Sequence, residues 1–338
     1  MATIRQIAKL AGVSIGTVSR ALRDDPRFSA ETRRRIQAIA RELNFHPNRL
    51  TQGLLTGRSG VIGCLVPRVE SGYYSRVLKG ILQAAHEHSY HIMPFETRWK
   101  LENTIISLHQ LVEQRVDGVL IACAHENPLP LELLLDLWSH DIRTVAVQNT
   151  LTPIPIDYVG SDEETRGQLA VDYLVGLGHR SIAFIGFISN DLGSERSTAV
   201  FQALRRHGLS TTLHWDTFLD PSIERALTYV LSQPERPTAI IAMSDVEAGK
   251  IIQLADAFQL KIPAQLSVLG SGNHDEWLEL FKPPLTSIEE HPELIGRTAF
   301  EIVLQRIPQP IEAMREHPIT RLITPEIVVR ESCAAPAA

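Results

Sequence analysis

From Val61 onward the chain alternates short apolar runs with helix-length amphipathic stretches, and this alternation restricts the fold more than any other feature. VIGCLV, a helix from about Tyr74 to Ser89, HIMPF, a helix from about Asn103 to Gln114, DGVLIA, a helix near Leu129–Ser139 and IRTVAV follow in that order. Parallel strands cannot be joined by a tight hairpin, so each needs a crossover helix, and the helices then cover both faces of the sheet. The cycle repeats, with helices at Thr165–Gly176, Ser197–His207, Ser222–Leu231 and Asp245–Phe258 around the strands SIAFIG, TAIIAM and LSVLG. Two such units imply two α/β lobes with a cleft between them, and loops at the carboxyl ends of the strands are where such sheets bind ligands. The 338 residues also exceed the roughly 250–300 that a single core sustains.

Fingerprints of catalysis are missing from this body. No GxGxxG follows a first strand, no GxxxxGK precedes Ser or Thr, and no HExxH occurs, which removes the common dinucleotide, triphosphate and zinc-hydrolase sites. His86 and His88 lie two apart on a helix and share no face, and His274, Asp275 and Glu276 read as solvated side chains. Cys64, Cys123 and Cys333 are odd in number and irregular in spacing, giving neither a disulfide framework nor a zinc pattern. The expectation is a binding protein with no cofactor and no metal, not an enzyme. Residues 1–20 contain Arg5, Gln6, Lys9 and Arg20 without a long apolar run, and no later stretch reaches about 18 uninterrupted apolar residues. Neither a secretory signal nor a membrane span is expected, and the cytoplasm is the expected compartment.

Charge is divided unevenly along the chain. The whole has a formal net charge of -6, yet residues 1–60 hold eleven Lys or Arg against four Asp or Glu. A basic head on an acidic body presents positive charge to a polyanion while the body stays off it. Within the head, Thr3 is placed to cap a helix whose apolar face is Ile4, Ile7, Ala8 and Ala11, and Gly12 ends it. Ser14 caps a second helix that turns Val18, Ala21 and Leu22 inward and leaves Ile15, Gly16, Thr17, Ser19 and Arg20 largely outward. A third helix starts near Ser29–Thr32 and buries Ile36, Ile39, Ala40 and Leu43, with Arg33, Arg34 and Arg35 near its start, where they oppose the helix dipole and read either as facing a phosphate partner or as a solvated face. This is helix-turn-helix grammar. If the second helix enters a major groove, Ile15, Gly16 and Thr17 stand nearest the base edges, and Ser19 and Arg20 reach bases or phosphate. The bare Gly16 reads either as close approach to DNA or as relief of crowding inside the head.

After Pro47, Leu50 and Leu54 lie four apart in a segment too short to be a stable helix alone. It reads either as a hinge that folds on DNA, with Leu54 as a wedge between minor-groove base steps, or as a linker whose leucines pack on the body.

In family order, TIRQIAKLAGVSIGTVSRAL, FHPNR, EQRVDGVL, LGHRSIAFIG, KPPLTSI and TPEIVVRESC resemble the lactose/galactose repressor family of bacterial transcription regulators, over residues 2–333. The resemblance implies an α/β chain with a helix-turn-helix headpiece and hinge helix followed by a two-lobed periplasmic-binding-protein-like body, each lobe a parallel sheet flanked by helices. It places the headpiece at 1–46, the hinge helix and linker at 47–60, an N-lobe at 61–159 with 290–321, a C-lobe at 161–288 with 323–331, and a disordered tail at 332–338. It further implies a homodimer, or dimer of dimers, on double-stranded operator DNA. Thr3, Ser14, Ile15, Gly16, Thr17, Ser19, Arg20, Asn48 and Leu54 are the expected DNA contacts. Thr51-Gln52-Gly53 departs from the family's Ala-Arg-Ser before the wedge leucine.

For the effector, the same resemblance points to Tyr73 and Tyr74 after the first strand, Arg196, Phe218 and Asp245; core packing for the three rings, a surface ion pair for Arg196 and a cap on the next helix for Asp245 are the other readings. An aromatic ring stacks on the apolar face of a sugar, and an arginine fork suits vicinal hydroxyls or an acid. The family's aromatic-Asp-Asp is Ser271-Gly272-Asn273 here, so its sugar-clamping aspartate is missing, and Asn273, His274, Asp275 or Trp277 is expected to substitute. A sugar or sugar phosphate is the first expectation; a purine, another small metabolite or a corepressor protein is the alternative. A repressor is expected, nucleoid-associated when bound, with an effector that tightens DNA binding, or activation, as the other readings.

Overall fold

The computed structural model describes residues 2–22, 25–45, 57–122, 129–148, 154–188, 191–273 and 276–337, the side chains of 191–194 and 276–277 excepted. Two compact units make up the chain, Met1–Ser59 and Gly60–Ala338.

The first unit holds α1 (Ile4–Ala11), α2 (Ile15–Ala21) and α3 (Ala30–Glu42). Each helix opens on a hydroxyl cap. Thr3 Oγ1 accepts from the Gln6 amide while the Gln6 side chain accepts from the Thr3 amide at 2.8 Å. Ser14 and Ser29 accept from the amides of Thr17 and Thr32 at 3.1 and 3.2 Å. These bonds satisfy amides that a helix start leaves without partners. Ile7, Val18, Ala21 and Ile36 are fully buried where the three helices meet. Arg35, one of the arginines expected to face phosphate, donates instead to the carbonyl of Ala11 at 3.0 Å and so closes the end of α1.

The second unit begins with β1 (Val61–Val66), α4 (Gly72–Glu87), β2 (His91–Glu96), α5 (Leu101–Glu113), β3 (Gly118–Ile121), α6 (Leu131–Ser139), β4 (Arg143–Val147) and β5 (Asp157–Ser161). It crosses into a second lobe with α7 (Glu163–Gly176), β6 (Ile182–Gly186), α8 (Asp191–Arg206), β7 (His214–Asp216), α9 (Ile223–Leu231), β8 (Ala239–Ala242), α10 (Asp245–Leu254), β9 (Ser267–Gly272) and β10 (Thr286–Glu289). Returning to the first lobe, it adds α11 (Pro292–Arg306), α12 (Ile311–Glu316) and β11 (Thr320–Ile323), then recrosses to end on β12 (Glu326–Val328). The two sheets run β11-β5-β4-β3-β1-β2 and β12-β10-β9-β8-β6-β7. Only the β10–β12 pair is antiparallel among the described ladders. Ile62, Cys64 and Val66 feed one core of the first lobe and Leu65 the other, as a sheet covered on both faces requires.

Apolar patterning missed five strands, β5, β7, β10, β11 and β12. In β5, Asp157 is fully buried and paired with Arg306 of α11, Nε to Oδ2 at 2.8 Å and Nη2 to Oδ1 at 2.9 Å, so a charge stands where a hydrophobic residue is sought. The edge strand β7 has only three residues and an exposed His214. Helix α8 starts at Asp191, six residues ahead of the expected Ser197.

The expected disordered tail is corrected over its first residues. Ser332 is fully buried and its carbonyl accepts from the Val268 amide at 2.9 Å. The Ala334 amide donates to Ser267 Oγ at 3.0 Å. His179 completes the clasp, with Nε2 2.9 Å from the Ala334 carbonyl and Nδ1 2.8 Å from Thr238 Oγ1. A carbonyl only accepts, so the ring is the Nε2–H tautomer with Nδ1 accepting from the threonine.

Helices α4 and α11 of the first lobe meet through glycine. A Cβ on Gly80 would stand 1.9 Å from the Glu293 carbonyl oxygen, which is backbone and cannot swing aside. Gly80→Ala is therefore expected to destabilise the body by about 1–3 kcal/mol, read as a lower urea midpoint, although alanine is the better helix former. An unchanged or higher midpoint refutes this packing argument. Burial lowers the His179 imidazole below its ordinary value. Above about pH 6.5 the ring is neutral in both folded and unfolded chains; as the pH falls toward the folded value, only the unfolded chain takes up the proton, so stability falls in that window. Melting curves across that window are expected to fall less steeply for His179→Gln than for the parent.

Candidate functional site

On the head, the start of α2 is exposed. Ile15 is 44% exposed, beside exposed Ser14 and Gly16. Thr17 is partly buried and its hydroxyl shares a 2.9 Å bond with Ser14. Arg20, exposed on the same helix, lies over the Phe28 ring at 5.7 Å. A Cβ added to Gly16 would meet nothing nearer than Arg20 Nη2 at 3.6 Å, an ordinary contact. Crowding within the head therefore does not explain this glycine. Thr3 and Ser14, expected as DNA contacts, commit their hydroxyls to helix caps. Asn48 and Leu54 lie outside the described residues.

In the body, a cavity of about 460 Å³ opens at the carboxyl ends of the strands of both lobes. Tyr73 and Tyr74 come from the first turn of α4, after β1, Phe187 from the end of β6, Ser244 from the end of β8 and Ser271 from β9. Helices cover both faces of each sheet, so the strand ends are what is left for polar chemistry. The two tyrosine rings meet edge to face at 5.2 Å.

A chain of polar groups crosses the floor from lobe to lobe. The Tyr73 hydroxyl donates to Gln148 Oε1 at 2.7 Å, and Gln148 Nε2 donates to Glu163 Oε1 at 2.9 Å. Glu163 accepts from Arg166 Nε at 2.6 Å and from Arg196 Nε at 3.2 Å. Arg196 Nη2 donates to Glu290 Oε2 at 2.5 Å, while Glu290 Oε1 accepts from Ser271 Oγ at 3.0 Å. Gln148, which anchors the first lobe's end, is itself held at φ 68°, a left-handed backbone uncommon for a residue with a Cβ.

Burial alone would lower the Arg196 guanidinium, but the charges of Glu163 and Glu290 outweigh it and hold the group above its ordinary value. For the Tyr73 hydroxyl, burial and then the Glu290 charge act together to push it well up, so it stays a proton donor. Glu195, at the rim, is also pushed above its ordinary range by burial and by Glu163.

Of the residues expected at the effector, Tyr73, Tyr74 and Arg196 line the cavity. Phe218 does not; it packs edge-on behind Phe187 at 6.2 Å. Asp245 is corrected outright, because it is fully buried, accepts from Ser287 Oγ at 2.6 Å and faces β9 away from the cavity. Nor does it cap α10, a task taken by Ser244. Asn273 turns to Glu289, donating from Nδ2 at 3.0 Å, and its carbonyl accepts from Arg76 Nη1 at 3.0 Å. Asp275 and the Trp277 side chain fall outside the described residues. Gln148, Glu163, Glu195 and Glu290 were not found by sequence reasoning. The one signal available was the Glu289-Glu290 pair directly after the family segment KPPLTSI.

Residues 3–48 match the model for bacterial regulatory proteins of the lacI family, and residues 171–333 match a periplasmic binding protein-like domain. The HTH-type transcriptional repressor PurR of Yersinia enterocolitica is 31% identical over 339 residues, covering 99% of this chain and 97% of its own. Its namesake in Edwardsiella ictaluri is 30% identical over 338 residues with the same coverage. Among solved structures, a lac repressor dimer bound to operator and the anti-inducer ONPF aligns with a TM-score of 0.82 at 25% identity over 99% of both chains. The transcriptional regulator CelR in its cellobiose complex aligns with a TM-score of 0.69 at 25% identity, over 98% of this chain and 100% of its own. With relatives of this identity along nearly the whole length and the family's helix-turn-helix matched at its start, the chain belongs to the lacI family of bacterial regulatory proteins.

Proposed function

We propose that this protein is a transcriptional repressor that binds a pseudo-palindromic operator as a homodimer and is controlled by a small molecule, a sugar by preference, held between the lobes of its body. The observation that carries the reading is α2, which starts with exposed Ile15 and an uncrowded Gly16 on the basic part of the chain. In this reading each head lays α2 in the major groove, where Ile15 touches a thymine methyl and Thr17, Ser19 and Arg20 reach bases or phosphate. Gly16 lets the helix backbone approach. Asn48 and Leu54 belong to the hinge of 47–60, with Leu54 as the minor-groove wedge. The cleft is the sensor. Tyr74 offers a ring to a sugar face, and the CelR neighbour is a cellobiose complex. Ligand closure of the lobes shifts operator affinity by a coupling of about 1–3 kcal/mol, or roughly 5–150-fold. The protein acts in the cytoplasm, on the nucleoid. Among the described residues no helix is long and apolar enough to cross a membrane.

The test is selection of DNA sites from a random duplex pool by the full chain, followed by anisotropy titrations on the selected site. Two half-sites related by a dyad are expected. Ile15→Ala should cost about 1–3 kcal/mol on that site while leaving the salt dependence unchanged, since it removes a base contact and no phosphate contact. Selection of no common sequence, or an Ile15→Ala protein that discriminates as well as the parent, refutes the assignment of α2. Gly16→Ala should stabilise the head by about 0.5–1 kcal/mol and yet weaken the selected complex. Equal or tighter DNA binding would show that no close approach occurs there.

A further inference from the structure

Arg196 is the cationic group that a ligand acid or phosphate would seek, and two carboxylates already stand on it. Glu163 Oε1 lies 3.2 Å from its Nε, and Glu290 Oε2 lies 2.5 Å from its Nη2. Glu290 is 1% exposed, and Ser271 Oγ holds its other oxygen at 3.0 Å, so it is a fixed part of the floor. Glu163 is likewise fixed, by Arg166 at 2.6 Å. These two arginines and two glutamates cancel. At the rim Glu70 is spent on Arg68 at 2.5 Å, whereas Glu195 has no bonded cation among the described residues. Among the described residues the excess at the cavity is therefore negative. An incoming phosphate would have to displace the buried Glu290 carboxylate from Arg196, and separating a buried pair is costly.

We infer that Glu290 sets the charge class of the ligand: together with Glu163 it neutralises Arg196, so the cleft takes an uncharged or ammonium-bearing polyol and excludes phosphorylated and carboxylated ones. The inference rests on the reading of the cleft as the ligand site and narrows it, removing sugar phosphates. Glu195 then receives hydroxyl or ammonium donors at the rim. Its raised carboxyl pKa agrees with a site that already holds excess negative charge.

The experiment is calorimetric titration of the full chain with inorganic phosphate, glucose 6-phosphate, glucose and glucosamine, repeated on Glu290→Gln and Glu290→Asp. Glutamine keeps the size of the side chain and removes the charge, freeing the guanidinium; aspartate keeps the charge. The parent and Glu290→Asp should give no saturable heat with either phosphate compound. Glu290→Gln should gain at least about tenfold in affinity for one of them. Saturable binding of either phosphate compound by the parent overturns the inference, and so does a Glu290→Gln protein that gains nothing. Should Glu290→Gln melt early and fail to fold, Glu163→Gln frees the same guanidinium from its other side and is read in the same way. Operator titrations with the bound compounds separate the two readings. A bound sugar that leaves operator affinity unchanged defeats the sensor reading only, whereas a sugar phosphate that binds the parent and shifts operator affinity defeats the charge rule only.

Discussion

A parallel sheet buried on both faces has only its strand ends free for polar chemistry, and the body of this protein is organised by that constraint. Strands β1, β2, β4, β6, β8 and β9 bring their carboxyl ends to the same cavity. The loops there can hold side chains that the sheets themselves would not tolerate. Tyr73, Gln148, Glu163, Arg196 and Glu290 come from five separate places in the chain and meet because the two sheets face each other across the cavity.

What holds at that meeting point is an electrostatic balance. A guanidinium taken out of water is unfavourable unless its charge is answered, and a single removed partner leaves the survivor buried and unpaired. Arg196 is answered twice, once by the helix that begins the second lobe and once by the segment that returns to the first. The crossover segment carries both kinds of tie, since Glu290 takes Arg196 and its neighbour Glu289 takes Arg76 of α4 and the side chain of Asn273. A ligand that changes these pairs acts on the connection between the lobes as well as on the pocket. That coupling of charge to lobe geometry is the physical route by which binding can be felt elsewhere.

The head solves a different problem, since about 45 residues enclose little core. It compensates with local bonds: hydroxyl caps on all three helices, a reciprocal box at Thr3 and Gln6, and Arg35 closing α1. These leave the start of α2 bare. Val18 is fully buried in the packing face, whereas Ile15, nearly one turn earlier at the helix start, is left exposed.

The caps, the inward stripe of the head and the strand-helix alternation of the body were legible because each depends on residues close in sequence: a hydroxyl three positions before an amide, or an apolar run of strand length. Tyr73, Tyr74 and Arg196 were legible as cavity residues because they follow strand ends or match a family pattern. Asp245 was misplaced for the opposite reason, since its position at the end of β8 says nothing of Ser287 waiting on another strand to take its oxygen. In β5, Asp157 hid a strand because its partner Arg306 lies far along the chain. Sequence alone determined the class of fold, the helix-turn-helix and the division of charge, all of them local or compositional. Only the tertiary structure decided that Glu163 and Glu290 share Arg196, because the sign and reach of a charge are visible in sequence while its neighbours are set by where distant strands end.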